Sequence, residues 1–222
     1  MKISEIFFSI QGEGIYSGIP MVFVRTQGCN LLNHCNYCDT SHAWDGNLGT
    51  EIGIEDIGKQ VNKLDPRFNS WVCITGGEPL SQPDLYSLVR ELKRWGKHIT
   101  IETNGSINPP KWYTIVDSWN TDIKCPSSGV CGISREEWFS TRFCDQIKFV
   151  VGNKDDLDFA SEMIDRHAAD LPIVLVSPVF PRNYNEVGST EFMQEVAEFC
   201  KAKKVRFSLQ IHKVIWGNRK GV

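Results

Sequence analysis

A chain of 222 residues, 41% hydrophobic and 23% charged, is sized for one ordinary globular domain with a sizeable core. A formal net charge of −3 and a pI near 6.0 exclude the basic footprint of a nucleic-acid binder. Met1 to Glu5 puts an acid where a signal peptide needs an apolar run, and no stretch approaches the ~18 apolar residues of a membrane span. The expectation is a soluble, cytoplasmic protein with a single domain over residues 1–222.

Ile3 to Ile10 and Met21 to Arg25 read as strands. Ile54, Ile57, Val61 and Leu64 then recur at helical spacing. Trp71 to Thr75 is a short buried strand ending in Gly76-Gly77. Leu85, Leu88, Val89, Leu92 and Trp95 mark a second helix, and His98 to Glu102 a strand closed by the turn signal Asn104-Gly105. Trp119 to Lys124 and Gln146 to Val151 are further strands. Leu157 to Ala168 is helical, Ile173 to Ser177 a strand, Glu191 to Lys201 a helix and Val205 to Gln210 a last strand.

Strand–helix alternation predicts an α/β fold with a mostly parallel sheet. Right-handed crossovers would curl it into a partial (β/α) barrel. With about six βα units, the chain is too short for a closed eightfold barrel of ~250 residues. Ligands in such folds gather at the C-terminal ends of the strands, where the candidate motifs fall.

Eight cysteines are too few for a disulfide scaffold. Cys29, Cys35 and Cys38 cluster, whereas Cys73, Cys125, Cys131, Cys144 and Cys200 are scattered. Three thiolates within ten residues suit three irons of a [4Fe–4S] cluster with the fourth iron open, which points to an enzyme rather than a passive electron carrier. A structural zinc site drawing on Cys125 and Cys131 is the plain alternative.

Gly76-Gly77-Glu78-Pro79 follows one strand and Glu102-Thr103-Asn104-Gly105 the next. With the cysteines and Tyr37 before the last of them, these motifs resemble the radical S-adenosylmethionine superfamily. The first cysteine gap is two residues longer than that superfamily's usual Cys-x3-Cys-x2-Cys, and His34 inside it reads as a solvent-facing loop residue. The run from Glu5 to Gly14, then Phe23 to Arg25, Cys38-Asp39-Thr40 and the tail Leu209 to Lys213 resemble, more narrowly, the 7-carboxy-7-deazaguanine synthase family. Glycyl-radical enzyme activases share part of the opening and the cluster, and stand as the alternative function.

The resemblance implies a lyase that converts 6-carboxy-5,6,7,8-tetrahydropterin to 7-carboxy-7-deazaguanine with loss of ammonia, in queuosine-type deazapurine biosynthesis. It implies cluster ligation by Cys29, Cys35 and Cys38 and a Mg²⁺ held by Thr40. It assigns S-adenosylmethionine to Tyr37, Gly76, Gly77, Glu78, Glu102, Asn104, Asp122, Ile123, Lys124 and Ser177. Substrate falls to Ile10, Gln11, Gly12, Glu13, Arg25, Thr75, Gln210 and His212. Within that set a carboxylate such as Glu13 suits a guanine-like edge, and Arg25 suits the substrate carboxylate as a bidentate fork. Gln210 and His212 are expected to alternate at a strand end. Trp44 and Trp216 read as packing residues, and His42, His98 and His167 as structural. A homodimer, and flavodoxin or ferredoxin as reductant, are further implications of the resemblance.

Overall fold

Strand β1 (Lys2–Ile10) starts the sheet, antiparallel to β2 (Pro20–Thr26) on one side and to the two-residue β3 (Thr50–Glu51) on the other. The computed structural model describes residues 1–180, 190–217 and 219–222. From β2 the sheet continues in chain order and wholly in parallel. Its strands are β4 (Trp71–Gly76), β5 (His98–Thr103), β6 (Ser118–Lys124), β7 (Gln146–Val151), β8 (Ile173–Pro178) and β9 (Arg206–Phe207). The order β3-β1-β2-β4-β5-β6-β7-β8-β9 leaves β3 and β9 as separate edges, so the barrel is open.

Sequential parallel order with right-handed crossovers sends every connection to the same face. Alternation along the strands then decides what each face carries. Val22, Val24, Val72, Ile74, Ile99, Ile101 and Trp119 pack with α1 (Ile54–Leu64) and α2 (Leu85–Arg94). Ile147, Phe149, Val151, Val174 and Val176 pack with α3 (Lys154–Arg166) and α4 (Thr190–Lys203). Each helix buries one stripe: Leu85, Leu88, Val89 and Leu92 recur at i, i+3, i+4 and i+7 along α2. The opposite parity on the strands carries Arg25, Thr75, Glu102, Asp122, Lys124 and Lys148, all facing one concave cavity.

Three local readings of the sequence are corrected. Only four of the six parallel crossovers carry an α-helix. β5 to β6 and β6 to β7 cross in 3₁₀ turns, where Trp112 and Trp138 close on Trp119 with ring centroids 6.0 and 5.4 Å away. Large rings cover the sheet there in place of a helix. α3 begins at Lys154, three residues earlier than its apolar stripe, because Asn153 caps it by accepting from the Asp156 amide at 3.1 Å.

The last strand is the third correction. β9 ends at Phe207, and Gln210 and His212 do not lie on it. The Ser208 amide donates to the Val176 carbonyl at 3.0 Å, after which the chain leaves the sheet edge. Gln210 then precedes a short helix, α5 (Ile211–Trp216). The Ile211 amide donates to the Gly12 carbonyl at 2.9 Å, so contact with the β1–β2 loop replaces a strand partner that the edge cannot supply.

Candidate active site

The loop after β1 crosses the concave face and builds the floor of the site. Gln11 Nε2 donates to Glu102 Oε1 on β5 at 3.2 Å, and Thr75 Oγ1 on β4 donates to Glu102 Oε2 at 2.7 Å. Two residues on, Glu13 pairs with Lys148 of β7 and accepts from Gln210 Nε2 at 2.5 Å. The Ile15 amide donates to Gln146 Oε1 at 3.0 Å, at the first residue of β7. Gly14 (φ 70°) passes so close to Gln146 that a Cβ would lie 2.5 Å from its Oε1.

The charges on this surface are cross-paired. Lys148 lies between Glu13 and Asp122, with Nζ 3.0 Å from Asp122 Oδ1, and Lys124 Nζ is 2.9 Å from Asp122 Oδ2. Burial works against ionising Glu13 and Asp122. The lysine ammoniums outweigh it and hold both carboxyls below their ordinary values. Burial likewise opposes the charge on Lys148, and Asp122 and Glu13 outweigh it, so Lys148 stays protonated well above its ordinary value. The result is a partly buried, fully ionised network of two carboxylates and two ammoniums on the cavity wall.

Arg25 uses one guanidinium nitrogen internally: Nε donates to Glu5 Oε1 at 2.7 Å. The strand ion pair and a fork toward the cavity are therefore compatible. Asp39 is half exposed, and against the desolvation of its carboxyl Lys213, the Thr40 hydroxyl and His212 bring it down to about 2. Lys213 Nζ lies 2.6 Å from Asp39 Oδ2, and Thr40 Oγ1 donates to Asp39 Oδ1 at 3.0 Å. His212 packs on Gly12, where a Cβ would meet its Nδ1 at 1.9 Å, and burial lowers the ring's basicity.

Above this floor, Cys29, Cys35 and Cys38 lie in the loop after β2, half-buried, with no disulfide. They are the thiols that line the cavity among the described residues. Gly76 and Gly77 bring the end of β4 against this loop. A Cβ on Gly76 (φ 141°) would meet the Thr26 carbonyl oxygen at 2.3 Å, and one on Gly77 the Gly28 carbonyl oxygen at 2.1 Å. Both glycines are thus required by backbone packing.

One cavity of about 540 Å³ joins the two halves. Three thiols and an uncharged glycine turn line one end and a polar charged floor the other. Among the described residues no three His, Cys, Asp or Glu side chains converge on a single metal ion, so the donor set suits thiolates spread over a multi-iron cluster rather than one ion. Every residue predicted from sequence lines it except Glu78, Ile123 and Ser177. Glu78 is wholly buried and accepts from the Leu80 amide (2.9 Å), Thr103 Oγ1 (2.8 Å) and the Asn104 amide (2.7 Å). It therefore ties two strand ends together. Ile123 packs in the core beneath α3, and Ser177 is buried in β8. Asn104 lines the cavity while its side chain is engaged, donating to Asn30 Oδ1 at 3.0 Å and accepting from Ser106.

Lys148 and Glu5 are on the cavity and escaped the sequence reading. The signal for Lys148 was present: a lysine between Ile147 and Phe149, in a strand too apolar to be an edge, must face a partnered polar site.

A family description, "Radical SAM superfamily", matches residues 23–119. The chain is 38% identical to the 7-carboxy-7-deazaguanine synthase of Methanospirillum hungatei, covering 97% of this chain and 85% of that one. It is 36% identical to the enzyme of the same name from Thermoplasma acidophilum over the whole of both. Among solved structures, QueE from Escherichia coli aligns with a TM-score of 0.69 at 24% identity, over 94% of this chain and 92% of that one, a likeness of fold. The chain belongs to the 7-carboxy-7-deazaguanine synthase family of radical S-adenosylmethionine enzymes.

Proposed function

We propose that the protein converts 6-carboxy-5,6,7,8-tetrahydropterin to 7-carboxy-7-deazaguanine, losing one ammonia, in the queuosine pathway. The observation that carries this reading is the single cavity connecting the three thiols to the Arg25, Glu13 and Lys148 surface. Cys29, Cys35 and Cys38 would hold the [4Fe–4S] cluster. With S-adenosylmethionine bound and one electron from a reductant, that group would supply the radical chemistry for hydrogen abstraction from the substrate.

The chain's own residues bind, orient and exclude water. The Gly76-Gly77 turn and Asn104 line the thiol end of the cavity and would border the cofactor, and Tyr37, on the same lining, would stand beside its adenine. Arg25 offers the substrate carboxylate the nitrogens that Glu5 leaves free. Glu13, held ionised by Lys148, accepts from the pyrimidine amine and ring N–H, since a carboxylate has more acceptor sites than Lys148 and Gln210 fill. Glu102 stands between floor and roof, gripped by Gln11 and Thr75.

Thr40 and Asp39 supply oxygens suited to Mg²⁺ beside the substrate carboxylate. A flavodoxin or ferredoxin reductant, a homodimer and a cytoplasmic setting belong to the same reading. No helix among the described residues is long and apolar enough to cross a membrane.

The test is anaerobic turnover of reconstituted protein with S-adenosylmethionine, Mg²⁺, a reductant and the carboxypterin, with products read by mass spectrometry. Deazaguanine that depends on all three cysteines supports the reading. Cleavage of S-adenosylmethionine without deazaguanine overturns the substrate and moves the protein activase ahead.

A further inference from the structure

Trp44 touches the cysteine loop in three ways. Its backbone carbonyl accepts from the Cys29 amide at 2.9 Å. Its indole Nε1 donates to Cys38 Sγ at 3.2 Å. Its ring stacks on His34, inside the lengthened Cys29–Cys35 gap, with centroids 3.9 Å apart and planes 10° from parallel. The neighbouring Gly28 amide donates to the Ala43 carbonyl at 2.8 Å, so the segment carrying Trp44 is sewn along the start of the loop. One residue thus grips the first and last cysteines and the insertion between them.

An indole N–H has one donor and no acceptor, so its only polar use here is toward sulfur. A thiolate is a stronger acceptor than a thiol, and its acceptor strength grows as electron density on a cluster rises. Hydrogen bonds to cysteine sulfur are among the determinants of iron–sulfur potentials. They favour the more negative, reduced state.

We propose that Trp44 is a positioning residue that sets the reduction potential of the cluster through its N–H···Sγ bond to Cys38, with the His34 ring holding the indole in that orientation. The proposal rests on the reading of Cys29, Cys35 and Cys38 as cluster ligands. The lengthened loop then has a role of its own, because His34 within it supplies the flat surface on which the donor rests.

The experiment compares wild type with Trp44→Phe, which keeps an aromatic ring and deletes the donor. Both are reconstituted anaerobically, assayed for iron and sulfide, and titrated with dithionite while the reduced-cluster signal is followed by electron paramagnetic resonance. The expected result is full iron content and a more negative potential. A tenfold weaker reduction equilibrium corresponds to about 59 mV for one electron. Where Trp44→Phe assembles no cluster, 3-benzothienylalanine at position 44 replaces it, matching the indole in shape without an N–H. An unchanged potential in a loaded variant overturns the proposal. A wild type that binds no iron overturns the cluster reading itself, a result distinct from a loaded wild type and variant with equal potentials.

Discussion

Lys148 Nζ lies 3.0 Å from Asp122 Oδ1, across a strand pair in which the two residues are direct register partners. The same ammonium meets Glu13 from the loop after β1. One lysine therefore joins the loop after β1 to β6 and β7 across the concave face. Its removal leaves the partly buried Glu13 without its ammonium partner, while Asp122 keeps Lys124.

Lys148→Met is expected to destabilise the fold by less than the penalty of about 3–5 kcal/mol for breaking a fully buried pair, because Glu13 and Asp122 are partly exposed and Lys124 still faces Asp122. Glu13 and Asp122 ionise below their ordinary values of 4.5 and 3.8, so their share of stability is complete above those values. It is lost as pH falls through the lowered ones. Lys148 loses its proton only well above its ordinary 10.5, so its share is complete below 10.5 and is lost as pH rises through the raised value. Urea midpoints of the native protein should show no contribution from this network to pH dependence between about pH 5 and pH 10. In Lys148→Met the burial of Glu13 loses its largest offset, the Lys148 ammonium, so the carboxyl should move upward. The urea midpoint should then rise as pH falls through the raised value, opposite in sign to the native protein.

Arg25→Ala removes the cation offered to the substrate carboxylate. A charge-assisted bond of about 1.5–3 kcal/mol predicts a loss of substrate affinity of about 10- to 150-fold. Cluster content should be unchanged, because Arg25 sits on the substrate side, bonded to Glu5. Isothermal titration of the loaded protein with carboxypterin, beside an iron assay, checks both halves. Unaltered affinity would remove Arg25 from the site.

Gly77→Ala tests the packing of β4 on the cysteine loop. Its Cβ would face the Gly28 carbonyl oxygen at 2.1 Å and the Cys29 nitrogen at 2.6 Å, both backbone. Neither can swing aside, so the loop must shift and iron incorporation should fall severalfold. Gly53→Ala, where the nearest atom is Asp56 Oδ2 at 3.6 Å, serves as the control with wild-type iron content.

Glu78→Ala should destabilise the fold by about 2–4 kcal/mol, because the Leu80 and Asn104 amides lose their acceptor in a buried place. It should also weaken S-adenosylmethionine binding although Glu78 does not line the cavity, because the carboxylate ties together the two turns that do. Thermal melts and cofactor titration read the two effects separately. A stability loss with unchanged cofactor affinity would confine Glu78 to the fold.

Strand parity, helix stripes and turn glycines are local properties, so the α/β class, a mostly parallel sheet and most element positions were legible in the residues alone. Cys29, Cys35 and Cys38 stood out in the sequence for the same reason, since the spacing of thiols is local too. Contacts between distant residues have no such local signature and came from the fold. Glu13 meets Lys148, separated by 135 residues; Asp39 meets Lys213; and His212 lies in the helix Ile211–Trp216 rather than at a strand end, with Gly12 accepting that helix's first amide. Glu78 looked like a ligand in its motif, yet its burial among three donors makes it a tie between strands. A buried charge must find its partner wherever the fold brings one, and that partner has no signature in neighbouring sequence.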